Sequence, residues 1–75
     1  MIDPVRLAFA ANLHRARIAA GLTQAELAAR SGVTQPHISQ LKAAIWEPRL
    51  TTIVALADAL QLRPADLMEV RDEAT

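Results

Sequence analysis

Residues 23–41 read TQAELAARSGVTQPHISQL. Thr23 and Glu26 stand three residues apart, just ahead of Leu27. This is the spacing of a capping box, in which each side chain takes the other residue's backbone N–H. A helix that starts there runs to about Arg30 and buries Leu27 and Ala28. Ser31-Gly32-Val33 reads as a tight turn, because glycine enters the left-handed region without a Cβ clash. Thr34 caps the next helix, and Pro36 falls in its first turn, where a missing N–H costs little. Ile38 and Leu41 lie on the inward side; Gln35, Pro36, His37, Ser39 and Gln40 lie on the outward side. The stretch predicts two short helices joined by a sharp bend, the second with a polar outer face.

Flanking segments extend the helical pattern. Asp3-Pro4 is a good helix start, with Asp as N-cap and Pro at the first helical position. Val5, Phe9, Leu13, Ala16 and Ala20 then recur on one face, and Gly21 ends the helix. Further on, Thr51 or Thr52 is expected to cap a fourth helix with Ile53, Leu56, Ala57 and Leu60 inward. Pro64 opens a fifth, which sends Leu67 and Met68 to the core; Asp66 suits its first turn through the helix dipole. Residues 1–70 are expected to form one domain, and residues 71–75 a polar tail that frays.

Composition narrows the function. Seventy-five residues make one domain at most, and one with a small core. Leu and Ala dominate and aromatics are 3%, which predicts a compact all-α domain. The chain has no Cys, so thiol chemistry and Cys-based zinc sites are excluded. No apolar run reaches the roughly 18 residues of a membrane helix, and the N-terminal residues lack a signal-peptide layout. A cytoplasmic protein is the expectation. His14 and His37 fall on different helices without a carboxylate cluster, so no metal and no cofactor are expected. Glu47, Asp58, Asp66 and Glu69 read as caps and solvated charges, and no nucleophile–base pair is evident, so no enzyme is expected. Formal net charge is zero, which argues against strong nonspecific nucleic-acid binding but permits a local basic face.

The segments AGLTQAELAARSGVTQPHISQL (20–41) and EPRLTTIVALADAL (47–60) resemble the Cro/repressor-type helix-turn-helix domains of phage repressors and bacterial regulators. The resemblance covers roughly residues 6 to 68, with cap, turn glycine and apolar positions in register. It implies a compact, lambda-repressor-like five-helix bundle that binds duplex DNA, as a homodimer on a near-palindromic site. It implies that the helix from Thr34 lies in the major groove. Gln35, Pro36, Ser39 and Gln40 would then face base edges, and Gln can bond adenine through two hydrogen bonds. Gln24 would meet a phosphate at the N-terminus of its helix, and Arg49 would lie by the DNA backbone. By charge alone, Arg15 and Arg30 are further phosphate candidates. The bland counterpart is a solvated helix face carrying the two Gln.

The stretch LKAAIWEPR (41–49) departs from that family. The resemblance implies Glu where Lys42 stands, paired with Arg at Arg17, and Gly where Ala44 stands. Arg17 and Lys42 are like charges; at about 4 Å and an effective dielectric near 20 they repel by about 4 kcal/mol. Lys42 should therefore swing outward and leave Arg17 to water or another acceptor. Ala44 in a left-handed backbone costs about 1–2 kcal/mol, so the third helix is expected to continue through Ala43 and Ala44. Ile45 and Trp46 come next as an apolar knob. Trp46 admits three readings: a lid on the fourth helix, base stacking, or a protein contact. In the last, Ala43, Ile45 and Trp46 anchor another protein or a second copy, with Lys42 and Glu47 on the rim. This is the alternative function, a protein-interaction module on the same scaffold.

Overall fold

A computed structural model describes residues 4–44 and 47–70. Five helices make up the described chain: α1 (Pro4–Ala19), α2 (Gln24–Ser31), α3 (Gln35–Lys42), α4 (Leu50–Ala59) and α5 (Pro64–Met68). Asp3, Ile45, Trp46 and the tail at 71–75, on which some expectations fell, lie outside the described residues. None of the helices is long and apolar enough to cross a membrane.

One core joins all five. It comprises Phe9 and Leu13 from α1, Leu22 and Leu27 around α2, Ile38 and Leu41 from α3, Ile53, Leu56 and Ala57 from α4, and Leu67 from α5. Burial of a Leu or Ile side chain is worth about 1.5–3 kcal/mol. The helices therefore hold through shared packing rather than through length, since α2, α3 and α5 are far too short to be stable alone. α1 packs on α3 and α5, α2 on α3 and α4, and α4 on α5. α3 thus rests on α1 and α2 and keeps its other side in solvent.

The α2–turn–α3 unit forms as its local chemistry dictates. Thr23 Oγ1 accepts the Glu26 N–H at 3.0 Å, and the Glu26 carboxylate accepts the Thr23 N–H at 2.9 Å. Gly32 ends α2 at φ 78°, its N–H bonded to the Ala28 carbonyl. The Ser31 hydroxyl accepts the Val33 N–H at 3.1 Å and stiffens the bend. Thr34 is the N-cap residue of α3 but makes no side-chain capping bond.

Several expectations need correcting. α3 stops at Lys42, and Ala44 takes the left-handed conformation at φ 61°. The strain of about 1–2 kcal/mol is small beside the burial it permits. Turning there buries Ala44 (4% exposed) and lets Ile53, Leu56 and Ala57 of α4 return to the core. α4 begins at Leu50 with Arg49 as N-cap, earlier than a Thr51 or Thr52 cap would allow. The Ile53 N–H already bonds the Arg49 carbonyl at 3.0 Å, so the longer helix gains backbone bonds at the expense of a hydroxyl cap. Met68 is exposed rather than core, because five-residue α5 turns only Leu67 fully inward. Val5 and Ala20, at the two ends of the α1 stripe, are also exposed.

Two helices end alike. The Leu22 N–H bonds the Arg17 carbonyl and the Gly21 N–H bonds the Ile18 carbonyl; at the end of α4, Leu62 bonds Ala57 and Gln61 bonds Asp58. Both are Schellman motifs, in which the residue after the cap is left-handed. Gly21 fills that position in one (φ 72°) and Gln61 in the other (φ 59°).

Candidate nucleic-acid interface

The outward face of α3 is polar and open. Gln35, Pro36, Ser39 and Gln40 are all exposed, and His37 is half-buried at the edge. Ile38 and Leu41, each 1% exposed, fix the helix's rotation from below, so the orientation of that face is rigidly set. Gln24 is the first residue of α2 and half-buried. The capping box uses the N–H groups of Thr23 and Glu26. Those of Gln24 and Ala25 remain at the positive end of the helix, where an anion is favoured. The Thr23 backbone N–H, and then its hydroxyl, hold the Glu26 carboxyl below its ordinary pKa, so the cap is ionised and formed at neutral pH. Arg49 is exposed at the start of α4.

Charges around α1 divide into two groups. Arg17 Nη1 donates to the Leu22 carbonyl at 2.6 Å and Nη2 lies 3.5 Å from His14 Nδ1. Arg17 has thus replaced the missing acidic partner with a backbone carbonyl one residue before the α2 cap. Lys42 is exposed, as the like charge of Arg17 requires. Partial desolvation, followed by the positive charges of Lys42 and Arg17, lowers the His14 pKa. Arg15 belongs elsewhere. Its Nη2 donates to Asn12 Oδ1, and with Asn12 it lines a depression beside Asp66 and Leu67 of α5. Arg15 is exposed on α1, and Arg30 is exposed in the last turn of α2. Of the residues expected at a protein contact, Lys42 and Ala43 are exposed, and Ile45 and Trp46 lie outside the described residues.

Asn12 was not singled out by its sequence, yet it ties the bundle shut. It is 7% exposed, and its amide donates to the carbonyls of Leu67 (3.0 Å) and Glu69 (2.8 Å). These bonds satisfy carbonyls at the C-terminal end of α5 that have no intrahelical partner. The signal was present: Asn12 falls three residues after Phe9 and four before Ala16, a polar residue on an apolar stripe.

Comparison with known proteins agrees with this geometry. A family model described as helix-turn-helix matches residues 13–67. An uncharacterized HTH-type transcriptional regulator of Sinorhizobium fredii, y4dL, is 50% identical over 50 residues; the match covers 67% of this chain and 26% of that protein. The chain therefore spans about a quarter of that relative's length. A second from the same organism, y4dJ, is 39% identical over 62 residues, covering 83% of this chain and 80% of the relative. Among solved structures, the restriction-modification controller protein C.AhdI from Aeromonas hydrophila superposes with a TM-score of 0.79 at 31% identity, covering 83% of this chain and 94% of its own. The hypothetical transcription factor NHTF from Neisseria gives 0.87 at 27% identity, covering 96% and 85%. These likenesses favour a DNA-binding regulator over a protein-interaction module. The match over residues 13–67, with the capped α2, the Gly32 bend and the outward α3, makes the chain a member of the Cro/repressor-type helix-turn-helix family.

Proposed function

We propose that the chain is the DNA-binding unit of a sequence-specific transcriptional regulator, with a binding role and no catalytic one. The observation that carries this is α3: a helix locked from below by Ile38 and Leu41, with Gln35, Pro36, Ser39 and Gln40 facing solvent. A helix of that width enters the major groove of B-form DNA. Gln35 and Gln40 read adenine edges and Ser39 either purine or pyrimidine, while Pro36 shapes the contact without donating a backbone N–H. Gln24 and the N–H groups behind it hold one phosphate, and Arg49 holds the backbone on the other side of α3. The place of such a protein is the cytoplasm, with its DNA.

One α3 spans few base pairs, which calls for a two-fold dimer on a near-palindromic site. Large apolar side chains support a pairing surface: Leu50 (75% exposed), Val54, Val5 and Met68 lie in the open around the α1 start, α4 and α5. Between them runs a shallow apolar groove over Phe9, Pro48 and Ile53.

The test is selection from a pool of randomised duplexes, then fluorescence anisotropy over a salt series. Near-palindromic sequences should be enriched, and affinity should fall steeply with salt. Gln35→Ala or Gln40→Ala should relax the preference at one position per half-site, by about 1–3 kcal/mol of discrimination. Binding near zero at low salt, unchanged by sequence, overturns the proposal.

A further inference from the structure

The basic corner formed by His14, Arg17 and Lys42 takes no part in the contacts assigned to α3, Gln24 and Arg49. On α3, Gln35, Ser39 and Lys42 succeed one another at steps of four and three residues, so they line one side of the helix. Lys42 therefore continues the outward row at the helix's C-terminal end. On α1, Arg17 and His14 sit one turn apart, with Nη2 and Nδ1 3.5 Å from each other. α1 packs on α3, whose last residue is Lys42, and the Lys42 charge acts on His14, so the three groups share the α1–α3 junction. Arg17 also touches the Leu22 carbonyl, next to the α2 cap at Thr23. The corner is thus continuous with both the α2 N-terminus and the α3 face.

We propose that Lys42, with Arg17 and His14 behind it, is a phosphate clamp that carries the DNA backbone contact from α3 onto α1. This rests on the DNA-binding reading and adds a contact to it. An acidic residue at position 42 would neutralise Arg17 and close the corner; Lys42 opens it to an anion. Lys42 and Arg17 are like charges, and a phosphate oxygen between them removes their repulsion, with the His14 imidazole, its pKa lowered, beside them as a neutral ring. Arg17 supplies a guanidinium already oriented by Leu22, Lys42 a mobile point charge, and His14 a ring nitrogen.

Lys42→Gln is the informative substitution, because Lys42 is exposed and lies outside the core cluster. The probes are the selected duplex and an unrelated duplex of equal length, each bound to the intact chain at several salt concentrations. Lys42→Gln should weaken both by the same factor, about five- to tenfold per bound protomer near 0.1 M salt, and should make the salt slope shallower by about 0.9. Lys42→Arg should restore both. Loss on the selected duplex alone would make Lys42 a base reader and overturn the clamp, as would unchanged affinity and slope. If the unsubstituted chain binds neither duplex, the DNA-binding reading itself fails. Thermal melting of each variant confirms that the fold is retained.

Discussion

Gln61 and Ala44 are the two non-glycine residues with positive φ among the described residues, and glycine at each separates backbone strain from side-chain burial. A left-handed L-residue costs about 1–2 kcal/mol. Glycine removes that cost but enlarges the unfolded ensemble, which takes back about 0.4–1 kcal/mol. Gln61 is exposed, so little packing is lost, and Gln61→Gly should stabilise by about 0.5–1 kcal/mol. In a domain of this size that raises the melting temperature by about 2–8 °C. Ala44 has the same strain but is 4% exposed. Loss of its methyl removes about 0.8 kcal/mol more of burial, and Ala44→Gly should leave the melting temperature nearly unchanged. Gly21 provides the reverse control. It occupies the same Schellman position at φ 72°, and a Cβ there would meet nothing within 4 Å, so Gly21→Ala should reveal strain alone. Differential scanning calorimetry on the three variants suffices. A destabilising Gln61→Gly would refute the strain argument; an Ala44→Gly as stabilising as Gln61→Gly would refute the burial of Ala44.

Asn12→Ala should cost about 1–3 kcal/mol in urea unfolding, because the Leu67 and Glu69 carbonyls lose their donor, and Asn12→Asp should cost more, since a carboxylate would face the same carbonyls. Leu67→Ala, at a side chain with no exposure, should cost about 2–5 kcal/mol and leave the domain largely unfolded at 37 °C, a loss visible by circular dichroism. Glu26 and Asp66 both have depressed folded pKa values, each held first by the backbone N–H at its own helix cap. Their contribution is therefore full above the ordinary carboxylate values of 4.5 and 3.8 and is lost as pH falls through the lower folded values; the double substitution Glu26→Gln, Asp66→Asn should flatten the acid limb of the stability–pH curve. Lys42→Glu should change the melting temperature little, because the Arg17 guanidinium already has the Leu22 carbonyl; a gain of several degrees would show that this bond is a poor substitute for an ion pair.

What is legible in the sequence is what short-range chemistry decides. Thr23 and Glu26 cap each other within one turn, Gly21 and Gly32 supply the left-handed positions their helix ends require, and Ile38 and Leu41 set the side of α3 that faces the core. The polar row on α3 is a consequence of that rotation. The departures share a different origin. Ala44 and Gln61 lack the glycine that marks a helix end, and their conformation is imposed by the segments C-terminal to them: α4 regaining the core, and Leu62 folding beneath α4. α4 starts earlier than its threonines suggest because hydroxyl caps are visible in a sequence and a gained backbone bond is not. Asn12 meets carbonyls 55 and 57 residues away, which no local pattern encodes. For the same reason charge alone does not foretell the partner of Arg15, a side chain one turn back whose own role depends on α5.

A formal net charge of zero does not weigh against DNA binding once the charges are placed. Glu26 and Asp66 are drawn into helix caps, each with its carboxylate bound to backbone N–H. Arg63 pairs with Asp66 at 3.2 Å, at the start of α5. Beside α3 stand Lys42, Arg17 and the start of α2, with Arg49 at the opening of α4, two residues after the exposed Glu47. With a Debye length near 8 Å at physiological salt, a phosphate at that surface responds to these neighbours and hardly at all to distant acids. The sum of charges measures how the molecule behaves among others at long range, whereas the backbone of a duplex lying along α3 meets only the local field. The fold separates the two locally: Glu26 and Asp66 are tied into caps, while Arg17 and Lys42 stand on α1 and α3 beside the start of α2.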